Sequence, residues 1–342
     1  MSDPEIIIAV ATGVILYTSG ILVCVSLLET LADDTKFACW LWTLGLWLSL
    51  VFPIVLVLIP SARIEFAKGP GFLNSVAEQN GIDIVLLSVW GIGTSIVAAL
   101  RLSARCLLSR WIRSTCCDLA DDELTQIGRI VPELSVATRI VATNASIGPF
   151  CYSQGQCTIV LPCYLLNESD QVIRHTILHE IAHFQHEHPR QLRLQNLCTA
   201  VYWFHPVVWW AARRADLARE YLCDEVVVRS EGDVANYLRS LATVAQRSTE
   251  RDRQEDGLGI SRRSSLVRRS KRLVQLAGRN NESENPWRKY AALIVLVILV
   301  AAITIWAYLA LIKRSLGSVN QKGSCRGEFS FEMDQNRIRF VR

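Results

Sequence analysis

The sequence predicts an α-helical membrane protein with four transmembrane helices and an α+β cytoplasmic domain inserted between the third and the fourth. Three observations lead to that fold class. Apolar residues make up 51% of the 342-residue chain and its mean hydropathy is positive, which suits a membrane protein better than a soluble one. Four stretches, 6–28, 37–62, 84–100 and 290–312, contain no Asp, Glu, Lys or Arg. Charged and periodic sequence fills the long interval between the third and fourth of them.

Taken in order, residues 1–113 hold three spans, at about 6–28, 37–60 and 84–101, each near the ~20 residues that cross a bilayer core. The amino end, Met1-Ser2-Asp3-Pro4-Glu5, is acidic where a signal peptide is basic, so the first span is expected to be a retained anchor. Arg101, Arg105, Arg110 and Arg113 follow the third span, and a basic run from Arg262 to Lys289 precedes the fourth. By the positive-inside rule residues 101–289 face the cytoplasm, and both termini and the 63–83 loop lie outside. The expected location is therefore the cell inner (cytoplasmic) membrane, multi-pass. The net charge of +4 conceals that basic run. It suits anchoring at an anionic lipid surface, and no direct nucleic-acid partner is expected. Eleven scattered cysteines, an odd number, read as reduced thiols.

Within the cytoplasmic part, residues 114–246 are expected to form the folded domain. A helix is predicted over 121–130, capped by Asp118 or Asp121. Strand-like runs follow at 136–143 and 157–161, separated by Gly148-Pro149 and Ser153-Gln154-Gly155 and stopped by Pro162. Ile173, Ile177 and Ile181, spaced four apart, predict a helix over 171–187 closed by Pro189. Further helices are expected over 207–230 and 234–246. The polar, Arg- and Ser-rich 247–289 reads as a flexible linker, 290–312 as the fourth span, and 313–342 as a short extracytoplasmic tail.

The chemistry is carried by His179-Glu180-Ile181-Ala182-His183. Histidines four apart stand one helical turn above each other, so both imidazoles can reach one metal ion while Glu180 flanks its water. A catalytic zinc site also needs a third protein ligand and an open position. Glu220 is the candidate ligand, and Asp224, on the same helix face, would accept the hydrogen bond of a ligating imidazole and fix its tautomer. One Zn²⁺ per chain is the expected cofactor, with Glu180 taking a proton from the attacking water and returning it to the leaving amine. His205 is a candidate for stabilising the developing oxyanion. His175, His186 and His188 read as structural.

Residues 194–212 form a fifth stretch free of formal charge. A full crossing there would put His183 and Glu220 on opposite sides of the bilayer, so zinc ligation predicts a shallow or re-entrant hairpin broken at Pro206.

Together with three preceding spans and a following one, four blocks resemble the BlaR/MecR-type membrane metallopeptidases, the antirepressor family of gluzincins. These are Thr158–Pro162, His179–His183, Trp203-Phe204-His205-Pro206-Val207-Val208-Trp209-Trp210 and Arg219-Glu220-Tyr221-Leu222-Cys223-Asp224. The resemblance implies a gluzincin domain with Glu220 as third ligand, and Cys157, Thr158, Ile159, Val160 and Leu161 as the edge strand that pairs with substrate. It also implies a signal-transducing protease that cleaves itself or a cytoplasmic regulator. The implied partners are the lipid bilayer, a protein or peptide substrate that could be a transcriptional repressor, and a separate sensor protein. Two departures stand out. About 30 residues follow the fourth span, too few for a penicillin-binding sensor. His188 stands where the family often has an acidic residue. Self-cleavage, if it occurs, is expected near Arg262-Arg263-Ser264-Ser265-Leu266. Two alternatives remain at this point: a housekeeping membrane-protein quality-control zinc protease, and a non-catalytic zinc-fold signalling scaffold.

Overall fold

A computed structural model describes residues 3–32, 34–58, 82–134, 138–145, 147–153, 156–252 and 259–278, three isolated positions between 287 and 294, and a hairpin at 331–334 and 337–340. The chain opens with two helices, α1 (Asp3–Ala32) and α2 (Thr35–Leu58), packed against each other. A third, α3 (Ile82–Thr115), runs on past the apolar stretch into the basic segment. Among the described residues two helical segments are long and apolar enough to cross a membrane, Ala11–Leu31 and Val85–Thr115; Thr35–Val51 is a shorter apolar stretch. The fourth expected span, 290–312, lies almost wholly outside the described residues.

Beyond α3 come β1 (Cys117–Asp118), α4 (Asp121–Ile130), β2 (Thr138–Thr143), β3 (Phe150–Ser153) and β4 (Cys157–Pro162), then a 3₁₀ turn over Cys163–Asn167. The helix at 121–130 is the expected one, although its cap is Ala120, with the Glu123 carboxylate accepting from the Ala120 amide. The sheet order is β1-β2-β4-β3, with β4 parallel to β2 and antiparallel to β3. Ile159 faces Ile140 on one side and Cys151 on the other. Every edge of β4 is thus occupied, which bears directly on substrate pairing.

Helix α5 (Asp170–Gln185) starts on Ser169, whose hydroxyl accepts from the Val172 amide. Ile173, Ile177 and Ile181 form the stripe that meets Ile140, Ile159 and Leu165 in the domain core. His175, His179 and His183 run along another stripe of the same helix. The helix ends at His186, and Glu187 turns the chain with φ 54, the one described non-glycine residue with positive φ. Pro189 therefore sits in the first turn of α6 (His188–Val201) rather than simply closing α5. The apolar 194–212 stretch reverses at Tyr202–His205, and Pro206 begins α7 (Pro206–Glu231). The hairpin is held from outside: Tyr202 donates its hydroxyl to the Ser49 carbonyl, and Trp90 donates its indole N–H to the Val201 carbonyl.

The largest departure from expectation lies after α7. Helix α8 (Val234–Asp252) is followed by α9 (Gly259–Gly278), squarely within the stretch expected to be a flexible linker. Leu273 of α9 is 1% exposed and packs with Val227 and Tyr237. The helix makes its apolar contacts through Leu273 and Leu276, a helical spacing that the Arg- and Ser-rich composition around it outweighed. The segment 262–266 is consequently helical, not the extended conformation that a peptidase cuts. Described by itself, the unit from residue 293 onward contains an antiparallel hairpin, β5 (Phe331–Asp334) and β6 (Arg337–Phe340). The ten described cysteines are free.

Candidate metal centre

Helices α5 and α7 bring the candidate ligands to one point. His179 Nε2 and His183 Nε2 each lie 3.5 Å from an oxygen of Glu220. Three donors converging on one position, two imidazoles and a carboxylate, suit a four-coordinate zinc ion that keeps one place for water. Cys223 also lies within reach of His179 and His183. Without a metal, burial and the neighbouring carboxylates keep its thiol protonated, so it would have to release a proton to bind one, whereas Glu220 is already ionised.

His179 and Glu180 are buried, at 8% and 6% exposed, while the Glu220 side chain is 31% exposed and borders a cavity. Burial disfavours a charge on His179, but the Asp224 and Glu220 carboxylates outweigh it and hold its pKa up to about 9. For His183 burial and the nearby His179 charge dominate, and its pKa falls to about 4. Burial would raise Glu220; the Arg269 guanidinium and the imidazoles overturn this and keep it ionised, well below the usual range. Glu180, pushed up to about 7 by burial, is poised to exchange a proton near neutrality.

Each candidate imidazole is supported from behind. His179 Nδ1 lies 3.3 Å from Asp224 Oδ1 and 3.1 Å from the Tyr237 hydroxyl, which itself donates to Asp224 at 2.7 Å. His183 Nδ1 lies 2.8 Å from His188 Nδ1. With Nε2 of His183 on a metal, its Nδ1–H donates to a neutral His188, and burial holds His188 neutral with a pKa of about 2. His188 therefore does what an acidic residue would otherwise do. His175, 1% exposed and 2.8 Å from the Ser240 hydroxyl, packs one turn before the site.

Two parts of the expected site, His205 and the strand Cys157–Leu161, are elsewhere. His205 is buried at the start of α7, where its Nε2 meets the Ser19 hydroxyl at 3.2 Å and the Ile15 carbonyl at 3.3 Å on α1. It fastens the hairpin to α1 and does not border the cavity of the metal centre, so it has no place at the oxyanion. The run Cys157–Leu161 is β4, hydrogen-bonded on both sides and unable to accept another strand. The edge belongs to β3: Phe150, Cys151 and Tyr152 line a cavity of about 970 Å³ that also contains His179 and Glu180. Strand order, which local sequence does not encode, made the difference.

Arg269 is the residue that sequence reasoning missed entirely. From α9 it donates through Nε and Nη2 to Asp224, at 2.8 and 2.5 Å, and through Nη1 to Glu220 at 2.9 Å. Tyr237, on α8, was likewise unforeseen: the periodicity of α8 predicts the helix and its apolar face of Leu238 and Leu241, but not that Tyr237 reaches Asp224.

A family model described as BlaR1 peptidase M56 matches residues 72–273, which covers α3 through most of α9. No curated protein matches the chain.

Proposed function

The chain belongs to the BlaR1 peptidase M56 family, and on that premise we propose that it is a membrane-embedded zinc metalloendopeptidase of the signal-transducing, antirepressor type, which cleaves itself or a cytoplasmic regulator. The observation that carries this reading is the convergence of His179, His183 and Glu220 at 3.5 Å beside Glu180. His179, His183 and Glu220 would hold one zinc ion, with Asp224 and His188 orienting the imidazoles. A zinc ion held there supplies Lewis acidity and makes a water easier to deprotonate at neutral pH. Glu180 then takes the proton from the attacking water and delivers it to the leaving amine. An extended substrate would add to the outer edge of β3, its backbone pairing with Phe150–Ser153.

Two apolar helices and a metallopeptidase family support membrane association. The flanking arginines support a cytoplasm-facing site. In this reading four spans cross the inner membrane, and the hairpin at 202–205 keeps α6 and α7 on one side. The test is substrate trapping with Glu180→Gln in native membranes. Recovery of a transcriptional repressor is expected. Recovery of misfolded membrane proteins instead would replace the signalling role with quality control.

A further inference from the structure

Glu220 and Asp224 stand one turn apart on α7, and their carboxylates are joined by a single guanidinium supplied by another helix. Arg269, whose side chain is 14% exposed, binds Asp224 through two nitrogens and Glu220 through the third. Asp224, 2% exposed at its side chain, has the Tyr237 hydroxyl and the His179 ring as its other neighbours. We propose that Arg269 is a positioning residue of the metal centre: its planar fork fixes the Glu220 carboxylate in ligating orientation and Asp224 against the His179 ring. This rests on the zinc-peptidase reading above.

The alternative role for a cation at this place is opposition. A positive charge beside a zinc site repels the ion, so its removal would tighten binding if long-range charge were all that mattered. The geometry argues otherwise. Two of the three contacts go to Asp224, a paired arrangement that largely cancels the Arg269 charge as seen from the ligands. Without the guanidinium Asp224 stays buried with only the His179 ring and the Tyr237 hydroxyl on it, and Glu220 loses the donor on Oε2, the oxygen that also faces His179 Nε2. The two roles thus differ in sign. Lysine, with one compact ammonium, can satisfy one carboxylate but not bridge both.

The experiment is zinc affinity, by chelator competition, of the full chain in detergent or lipid discs, for wild type, Arg269→Ala, Arg269→Lys and Leu273→Ala. We expect Arg269→Ala to bind zinc about 10- to 100-fold more weakly, with Arg269→Lys in between. Leu273→Ala loosens α9 through its apolar contact yet leaves the guanidinium, and is expected to lower the melting temperature with zinc affinity close to wild type. Unchanged or tighter binding in Arg269→Ala would overturn the proposal, as would an equal loss in Leu273→Ala. Should Arg269→Ala fail to fold, wild-type affinity in Arg269→Lys overturns it alone. A wild-type chain that binds no zinc would instead sink the metallopeptidase reading itself.

Discussion

His179 faces two carboxylates while His183 faces one, and that difference governs how the metal-free centre titrates. With a pKa of about 9, His179 carries a proton at neutral pH that zinc must displace. Zinc affinity should therefore rise with pH through 7 to 9, by up to about tenfold per unit. Calorimetry at pH 7.5 in buffers of different ionisation enthalpy should report about one proton released per zinc bound; none would contradict the assignment. Stability of the metal-free chain follows from the same groups. His183 and His188, held down to about 4 and about 2, contribute stability above the unfolded value near 6.5 and lose it as pH falls. His179, held up, contributes below 6.5 and loses it as pH rises through 9. Glu180, raised to about 7, also loses stability as pH rises, between about 4.5 and 7. From 4.5 to 6.5 two groups gain against one that loses, and above 6.5 both remaining terms fall. Thermal unfolding across pH 4–9 should therefore peak near pH 6.5; a plateau to pH 9 would show that His179 is not held protonated.

At the scale of elements, close approaches are the points where one substitution is felt. A Cβ on Gly93 would stand 2.3 Å from the Trp203 ring, so Gly93→Ala must displace that ring or shift α3 from the hairpin. A loss of about 1–3 kcal/mol is expected in denaturant unfolding, together with a shift in tryptophan emission. Gly232 ends α7 at φ 74, and its amide donates to the Val228 carbonyl. Gly232→Ala should cost about 1 kcal/mol. What could be read in advance follows a simple physical line. Helix α5 and its metal stripe were legible because Ile173, Ile177 and Ile181 repeat at helical spacing, and the Glu220–Asp224 pair because it shares one face of α7. Membership of β3 rather than β4 at the open edge was not, since strand order arises from chain reversals far apart in sequence. Nor was Arg269, because α9 docks through Leu273 in a segment whose composition resembles a linker.

For the whole molecule, the metal centre is assembled from parts that lie far apart in the chain. α5 and α7 supply the candidate ligands, α6 returns His188 to His183, α8 brings Tyr237, and α9 brings Arg269. Zinc should therefore stabilise the helices that meet at the centre, α5 to α9, as one unit, by about 2.7 kcal/mol at a free concentration 100 times Kd. Chelation should lower the melting temperature in one cooperative step. The most direct measurement compares wild type with Glu180→Gln, both in lipid discs and both loaded to one zinc per chain, for the rate at which they cleave an unstructured protein substrate. Glu180 is not a ligand, so both should hold zinc equally, and the variant should cleave at least about 100-fold more slowly. Equal rates at equal zinc content would contradict the assignment of Glu180 and, with it, the peptidase centre described above.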